Sequence, residues 1–219
     1  MHANTGNCLV LVSGGARSGK SVFAEALAET IGRTRGTAAP LAYIATGQAM
    51  DPEFEVRIAA HRRRRGAQFV THEEPLELEA AMDRAFKTHD IALVECFPTW
   101  LGNLYHYPPA DGIEARLKVL VRYLQNYFSL GDGPGSADLQ SLALGFLRGQ
   151  VAALPDLGQA LAAAGKILLA VTNETGLGII PAHAAGRRFR DDLGWLNQQL
   201  AALAIAVFFS VAGIPQRIK

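Results

Sequence analysis

A phosphate-binding motif near the amino terminus constrains the fold more than any other feature. A continuous apolar run, CLVLVS (residues 8–13), leads into GGARSGKS (residues 14–21), and an amphipathic stretch, VFAEALAE, follows. The eight residues match G-x-x-x-x-G-K-[ST], in which glycines let the backbone wrap around a phosphate and a helix N-terminus points at it. A buried strand before the motif and a helix after it are the context that it requires. The sequence therefore predicts an α/β fold built around a P-loop.

Each residue type in this motif has an expected part in binding a nucleoside triphosphate. We expect Lys20 to reach the β- and γ-phosphates as a catalytic residue, and Ser21 to hold Mg²⁺. Glu95, at the end of the apolar run IALVE, is a candidate second metal ligand in a position that resembles the Walker-B acid. The alternative is a carboxylate that faces solvent at the end of a strand. The predicted phosphate-binding residues are Gly14, Gly15, Ala16, Arg17, Ser18, Gly19, Lys20 and Ser21.

Four further apolar runs predict strands that are buried on both faces of a mainly parallel sheet, because their apolarity is continuous rather than alternating. The predicted strands are 8–13, 41–45, 91–95, 166–173 and 206–211, and the predicted helices are 21–31, 54–65, 75–87, 113–130 and 184–203. Pro75 fits the first turn of its helix, whereas Pro155 is expected to interrupt an apolar helix-like run. We predict one P-loop domain over residues 1–219, with a helical elaboration at about 107–157 and a mobile loop around 131–136.

Composition limits the classes of partner. Of the 219 residues, 49% are hydrophobic, enough for a sizeable core, and the formal net charge is only +1. A protein whose main partner is a nucleic acid normally carries a larger basic excess, so no nucleic-acid partner is expected. Cys8 and Cys96 are far apart and lack metal-ligand spacing, which favours a reducing compartment over a disulfide framework. The longest apolar stretch, 200–214, is shorter than the ~20 residues of a membrane span, and no signal peptide is evident. We expect a soluble, cytoplasmic protein.

A dense positive cluster, HRRRR at residues 61–65, interrupts this balanced charge. On a helix, Phe54, Ile58, His61 and Arg65 would fall along one stripe. Taken alone, His61 fits a histidine at the edge of the core, and the arginines fit a solvated helix face. A histidine among fixed cations is equally well placed to attack a polyphosphate. The cluster alone leaves both interpretations open.

The order of motifs along the chain resembles one enzyme family. After GGARSGKS come YIATG, RIAAHRRRR, THEEPLEL, VECFPTWLGNL, VTNETGLGIIP, RRFRDDLGWLNQQLA and VAGIPQRIK. Together they resemble the bifunctional adenosylcobinamide kinase/adenosylcobinamide-phosphate guanylyltransferase family of cobalamin biosynthesis. The resemblance covers nearly the whole chain and fails mainly in the stretch after Tyr107. The P-loop alone is generic, whereas this ordered set is specific.

The resemblance implies a RecA-like P-loop fold, often assembled as a homotrimer, with two activities. The kinase phosphorylates adenosylcobinamide with ATP or GTP, and the transferase attaches GMP from GTP to adenosylcobinamide phosphate through a guanylylated histidine. His61 matches that histidine by its place in RIAAHR, and Mg²⁺ is the expected cofactor, held by Ser21 and Glu95. The positions that match the family's nucleotide-binding residues are Ala45, Thr46, Gly47, Arg62, Arg63, Arg64, Arg65, Glu73 and Glu95.

The chemistry of the residues agrees with this transfer. A neutral imidazole can attack the α-phosphorus of GTP and expel pyrophosphate, and fixed guanidinium groups stabilise the charge on the phosphate oxygens. Adjacent cations would also lower the pKa of the His61 imidazole and keep more of it unprotonated. The VTNETGLGIIP motif either shapes the cobinamide side of the site, with Asn173 and Glu174 at a strand end, or is an ordinary turn.

Three other functions compete with this interpretation. The first is a P-loop small-molecule kinase in which His61 and its arginines form a lid over ATP, without a covalent intermediate. The second is a regulatory GTPase or other binding module, which the absence of an N-K-x-D guanine motif in the sequence disfavours. The third is a nucleic-acid-stimulated ATPase, which the net charge of +1 disfavours.

Overall fold

In the described part of the chain, seven strands form one sheet that is parallel except at one edge. The computed structural model describes residues 6–37, 40–48, 59, 62–63, 66–128 and 155–219. The strands are β1 (Cys8–Gly14), β2 (Leu41–Ala45), β3 (Phe69–Glu73), β4 (Ile91–Glu95), β5 (Ile167–Val171), β6 (Ala206–Val211) and β7 (Ile214–Arg217). Their spatial order is β3-β2-β4-β5-β1-β6-β7. β7 pairs with β6 in the antiparallel direction, and the other pairs of neighbours are parallel.

Helices cover both faces of this sheet. Those in the described part of the chain are α1 (Lys20–Thr34), α2 (Leu78–Thr88), α3 (Phe97–His106), α4 (Ile113–Tyr127), α5 (Pro155–Ala163) and α6 (Ala184–Leu203). α1 and α5 pack on one face, against the side chains of Val10 and Val12. The other four pack on the opposite face, against Leu9 and Leu11. Because every residue of β1 is buried, its apolarity is continuous rather than alternating.

The predicted α/β fold with a mainly parallel sheet is confirmed. β2, β4, β6 and α6 begin and end at the predicted residues. β1 continues one residue further than predicted, to Gly14, and β5 is shorter than the predicted 166–173. Cys8 and Cys96 are both free, as expected. No described helix combines the length and apolarity that crossing a membrane requires.

Two strands were not predicted, because each lies at an edge of the sheet. β3 is buried at Phe69 but exposed at Val70 and Thr71, so it lacks the continuous apolar run that marks the central strands. β7 contains Pro215, which argues against a central strand. Proline is tolerated at an edge, where one side of the strand has no partner to bond.

The helix boundaries at two prolines differ from the prediction. α2 begins at Leu78, so Pro75 precedes the helix instead of occupying its first turn. The Glu74 carboxylate accepts hydrogen bonds from the backbone N–H groups of Leu76 and Glu77, which holds this segment in a turn. Pro155, expected to interrupt a helix, instead begins α5, where its missing N–H costs nothing. α3 was also missed, although Pro98 in its first turn is compatible with a helix.

Two predicted features fall on parts of the chain that are not described. The predicted helix 54–65 lies outside the described residues except for Ala59, Arg62 and Arg63, whose backbone is helical. The predicted loop 131–136 also lies outside them. Within the predicted elaboration at 107–157, α4 packs against the core through Leu117, Leu120 and Leu124.

The sheet gathers the predicted site residues at one edge. β1 to β6 run parallel, so their carboxyl ends lie together, where ligands bind in open α/β sheets. Ala45 at the end of β2 is in register with Glu73 on one side and Glu95 on the other. Gly14, which opens the P-loop, is in register with Ser210 of β6.

Candidate active site

The backbone after β1 forms a tight loop that only glycine permits at its first position. A Cβ on Gly14 would lie 2.6 Å from Ser18 Oγ and 2.6 Å from the carbonyl oxygen of Ser210, so any larger residue would collide. Gly19, with φ of 88°, takes the left-handed conformation immediately before α1. The first turn of α1 contains no acidic residue. Its N-terminal N–H groups are therefore suited to an anion.

Two neighbouring loops hold the P-loop in this conformation. The backbone N–H of Glu174, after β5, donates to the Gly14 carbonyl at 3.1 Å. The N–H of Gly213, between β6 and β7, donates to the Ser18 carbonyl at 3.0 Å. These bonds connect the loop to both strands that flank β1. The sheet and its loops thus fix the shape of the predicted phosphate cradle.

Lys20 lies along the P-loop with its charge at the cradle. The side chain is 8% exposed, and its Nζ donates to the Gly15 carbonyl at 3.1 Å. An ammonium group has three N–H donors, and this bond uses one of them. The predicted phosphate-binding lysine is therefore held against the loop with further donors for a polyphosphate.

A hydroxyl and a carboxylate meet beside the cradle. Ser21, in the first turn of α1, donates from Oγ to Glu95 Oε1 at 2.7 Å. Glu95 ends β4 and is half-buried, so the alternative of a carboxylate facing open solvent does not describe it. Mg²⁺ prefers oxygen ligands and usually takes one or two from the protein and the rest from water and phosphates. The Ser21 hydroxyl and the Glu95 carboxylate are suited to be these two protein ligands.

In the described part of the chain, no group of three or more histidine, cysteine, aspartate or glutamate side chains could hold a metal ion by itself. A metal ion at the Ser21–Glu95 pair would therefore need ligands from a nucleotide and from water. This arrangement is typical of sites in which the metal ion arrives with a triphosphate.

The residue after Glu95 is a thiol that is unsuited to nucleophilic chemistry. Desolvation and the neighbouring Glu95 charge raise the pKa of the Cys96 thiol to about 11. Its Sγ lies 3.1 Å from the Thr99 hydroxyl. Because the thiolate is the reactive form, Cys96 at neutral pH is a neutral packing group.

Comparison with known proteins identifies the family. Residues 10–218 match the family described as cobinamide kinase / cobinamide phosphate guanyltransferase. The chain belongs to this family.

Three relatives agree with the family match over nearly their whole length. The bifunctional adenosylcobalamin biosynthesis protein CobP of Pseudomonas aeruginosa is 38% identical over 209 residues, covering 95% of this chain and 96% of the relative. The bifunctional adenosylcobalamin biosynthesis proteins CobU of Escherichia coli and Salmonella typhimurium are each 35% identical, covering 96% of this chain and 99% of each relative. The prediction of a cobinamide kinase and guanylyltransferase of cobalamin biosynthesis is confirmed.

The arginine cluster that the family resemblance singles out is described only in part. Arg62 and Arg63 are exposed, whereas His61, Arg64 and Arg65 lie outside the described residues. Arg62 forms an ion pair with Glu73 at the end of β3. Since strands are spaced about 4.8 Å apart, Glu73 lies two strands, or roughly 10 Å, from Glu95. The assignment of His61 as a nucleophile stays a prediction.

Thr46, matched to a nucleotide-binding position of the family, has its side chain inside the protein. It is 0% exposed, and its hydroxyl accepts a hydrogen bond from the Cys96 N–H and donates to the Cys96 carbonyl, both at 2.9 Å. The neighbouring Ala45 and Gly47 are half-buried. The contacts of the Thr46 side chain are therefore with the end of β4.

Two asparagines at this edge were not found from the sequence. Asn103 of α3 donates to the backbone of Thr46, and Asn197 of α6 donates to the Asn173 carbonyl at 2.9 Å and accepts from the Thr172 hydroxyl at 2.7 Å. A signal for both was present, since each is an amide at helical spacing on an apolar face. An amide at such a position needs a hydrogen-bond partner.

Proposed function

We propose that this protein phosphorylates adenosylcobinamide with ATP or GTP and then transfers GMP from GTP to the product through His61, which yields adenosylcobinamide-GDP. The observation that carries the proposal is the meeting of Lys20, Ser21 and Glu95 around one phosphate cradle. Membership of the family supplies the substrates and the order of the two reactions.

In the kinase reaction, the protein positions the triphosphate and stabilises its charge. The N–H groups at the start of α1 and the Lys20 ammonium would hold the β- and γ-phosphates. Ser21 and Glu95 would hold Mg²⁺, which when bound neutralises phosphate charge. The substrate hydroxyl oxygen bonds to the γ-phosphorus as the bridging bond to the β-phosphate breaks and the nucleoside diphosphate leaves. The hydroxyl proton is released.

In the transferase reaction, His61 would carry GMP between two substrates. The imidazole nitrogen bonds to the α-phosphorus of GTP, and the bond to the β-phosphate breaks, releasing pyrophosphate. A phosphate oxygen of adenosylcobinamide phosphate then bonds to the same phosphorus as the P–N bond breaks. Arg62, Arg63, Arg64 and Arg65 would stabilise the charge on the phosphate oxygens. The Arg62–Glu73 ion pair supports this role for Arg62, because Glu73 ends β3 at the carboxyl edge of the sheet.

The proposal also includes a single P-loop domain, assembly as a homotrimer and a cytoplasmic location, each supported by the resemblance to the family. Sedimentation equilibrium tests the assembly. A mass of about three chains of 23.4 kDa is expected, and a monomer would contradict it.

A double-label experiment tests the two activities together. GTP labelled at either the α- or the γ-phosphorus is incubated with the protein, Mg²⁺ and adenosylcobinamide, and label is measured in the corrinoid. We expect γ-label to enter first and α-label to follow with release of pyrophosphate. Entry of γ-label alone would indicate a kinase without guanylyl transfer, and absence of both labels would overturn the proposed function.

A further inference from the structure

Asn103 joins the ends of three adjacent strands through one amide group. It is 4% exposed, and its Nδ2 donates to the Thr46 carbonyl at 2.7 Å and to the Pro75 carbonyl at 3.0 Å. Thr46 follows β2 and Pro75 lies two residues after β3, while Asn103 belongs to the helix that follows β4. Both N–H donors of the amide are therefore used, each on a different strand end.

Thr46 carries this connection to Glu95. Its backbone N–H donates to the Glu95 carbonyl at 3.1 Å, and its hydroxyl bridges the N–H and carbonyl of Cys96. The backbone on both sides of the Glu95–Cys96 bond is thus fixed by one buried residue. Asn103 in turn holds Thr46 in place by donating to the Thr46 carbonyl.

We propose that Asn103 is a positioning residue that acts through Thr46 to hold Glu95 beside Ser21 for metal binding. The inference rests on the proposed function, because it takes the Ser21–Glu95 pair as the Mg²⁺ site. Groups that orient a metal ligand without touching the metal typically contribute 10- to 100-fold to metal affinity.

The chemistry of the position requires an amide. Alanine would leave the Thr46 and Pro75 carbonyls without these donors, and buried carbonyls are costly to leave unpaired. Aspartate has nearly the same shape, but its ionised carboxylate has no donor and would repel both carbonyls. Serine keeps one donor. The number of hydrogen-bond donors therefore falls from two in Asn to one in Ser and none in Ala or Asp, and Asp keeps nearly the shape of Asn.

The experiment measures metal binding without turnover. Calorimetry gives the Kd of α,β-methylene-GTP, which cannot guanylylate His61, with Mg²⁺ and with EDTA. The Kd in EDTA divided by the Kd with Mg²⁺, here called the Mg²⁺ ratio, gives the contribution of the metal to nucleotide affinity. For Asn103→Ala we expect a fall of about tenfold in this ratio, equivalent to about 1.4 kcal/mol, with an unchanged Kd in EDTA. Asn103→Ser should lie between wild type and Asn103→Ala.

A matched control separates positioning from stability. Asn7 is also an amide that joins two backbone groups, donating to the Tyr127 carbonyl at 3.1 Å and accepting from the Lys166 N–H at 2.8 Å. It precedes β1, at the opposite end of the strands from the site. We expect Asn7→Ala to lower the melting temperature while leaving the Mg²⁺ ratio at the wild-type value.

A double variant tests the route through Glu95. If Asn103 acts on Glu95, the double variant Glu95→Gln/Asn103→Ala should have the same Mg²⁺ ratio as Glu95→Gln alone. Additive losses, or equal losses of affinity with and without Mg²⁺ in Asn103→Ala, would overturn the inference. If Asn103→Ala does not fold, a wild-type ratio in Asn103→Ser would overturn it. A wild-type protein whose Kd ignores Mg²⁺ would instead contradict the metal site of the proposed function.

Discussion

The hydroxyl of Ser21 donates a 2.7 Å hydrogen bond to the carboxylate of Glu95, although the two residues are 74 positions apart in the sequence. Ser21 begins the helix after the P-loop, and Glu95 ends a strand two places away from β1 in the sheet. Their meeting requires the whole central sheet to be in register. The fold therefore brings the two residues proposed to bind the metal into direct contact.

Glu95→Gln removes one negative charge with little change of shape. We expect the Mg²⁺ concentration for half-maximal turnover to rise at least about tenfold, because the carboxylate is proposed to bind the metal directly. The measurement is a Mg²⁺ titration of both activities beside a thermal melt. Glu114→Gln, at an exposed i,i+4 ion pair with Lys118, is the control and should keep the wild-type titration. An unchanged metal requirement in Glu95→Gln would remove Glu95 from the site.

Lys20→Ala is expected to impair kinase and transferase turnover alike, by about 10²-fold or more, because both reactions need a triphosphate in the same cradle. The two activities are assayed separately, with Lys118→Ala as a control at an exposed position. Near-wild-type kinase activity in Lys20→Ala would show that the phosphoryl donor binds elsewhere.

Neither cysteine is expected to react with iodoacetamide in the folded protein at pH 8. Desolvation raises the pKa of both thiols. The pKa of Cys96 rises to about 11, which leaves roughly one Cys96 thiolate in a thousand at this pH. Mass spectrometry after a timed reaction, in buffer and in urea, provides the measurement. Fast labelling of Cys96 in buffer would contradict its assignment as a packing group.

Glu74 should make stability depend on pH. Burial favours its neutral form, but hydrogen bonds from the Glu77 and Leu76 N–H groups and from Arg84 outweigh this and lower the pKa of the carboxyl. Because the folded pKa lies below the unfolded value, the stabilisation is complete above 4.5, the ordinary pKa of a glutamate carboxyl, and is lost as pH falls through the folded pKa.

Glu74→Gln is therefore expected to lower the free energy of unfolding at pH 7 by about 1–2 kcal/mol, and the difference from wild type should shrink at pH 3. Urea unfolding at several pH values measures it. Glu29→Gln, at a surface i,i+4 pair with Arg33, should change stability by less than about 0.5 kcal/mol. A difference at Glu74 that is the same at pH 3 and pH 7 would exclude the charge as its cause.

The sequence predicted the parts of the site that local chemistry dictates. The P-loop was predictable because glycines, lysine and serine must follow a strand at fixed spacing. Glu95 was predictable because it ends a continuous apolar run. Both follow from short segments whose physical requirements do not depend on the rest of the chain.

The remaining features depend on tertiary contacts. Asn103 is connected to Thr46 only because α3 packs over the ends of β2 and β3, a relationship that spans 57 residues. β3 was missed because an edge strand needs no continuous apolar run. The position of Pro75 follows from the hydrogen bonds of the Glu74 side chain, which a proline-based rule for helix starts does not include.

If His61 carries GMP, the protein forms a covalent nucleotide adduct that can be detected directly. Wild-type protein is incubated with α-labelled GTP and Mg²⁺, denatured, and divided between base and acid. A phosphoramidate P–N bond is stable in base and labile in acid, whereas a phosphoserine ester resists acid. His61→Ala tests the residue, and His72→Ala is the matched control, because His72 lies in β3 outside the RIAAHR motif. We expect about one label per active chain in wild type and in His72→Ala, stable in base and lost in acid. His61→Ala should carry no label but should still phosphorylate adenosylcobinamide. Label that persists in His61→Ala, or that survives acid, would contradict it.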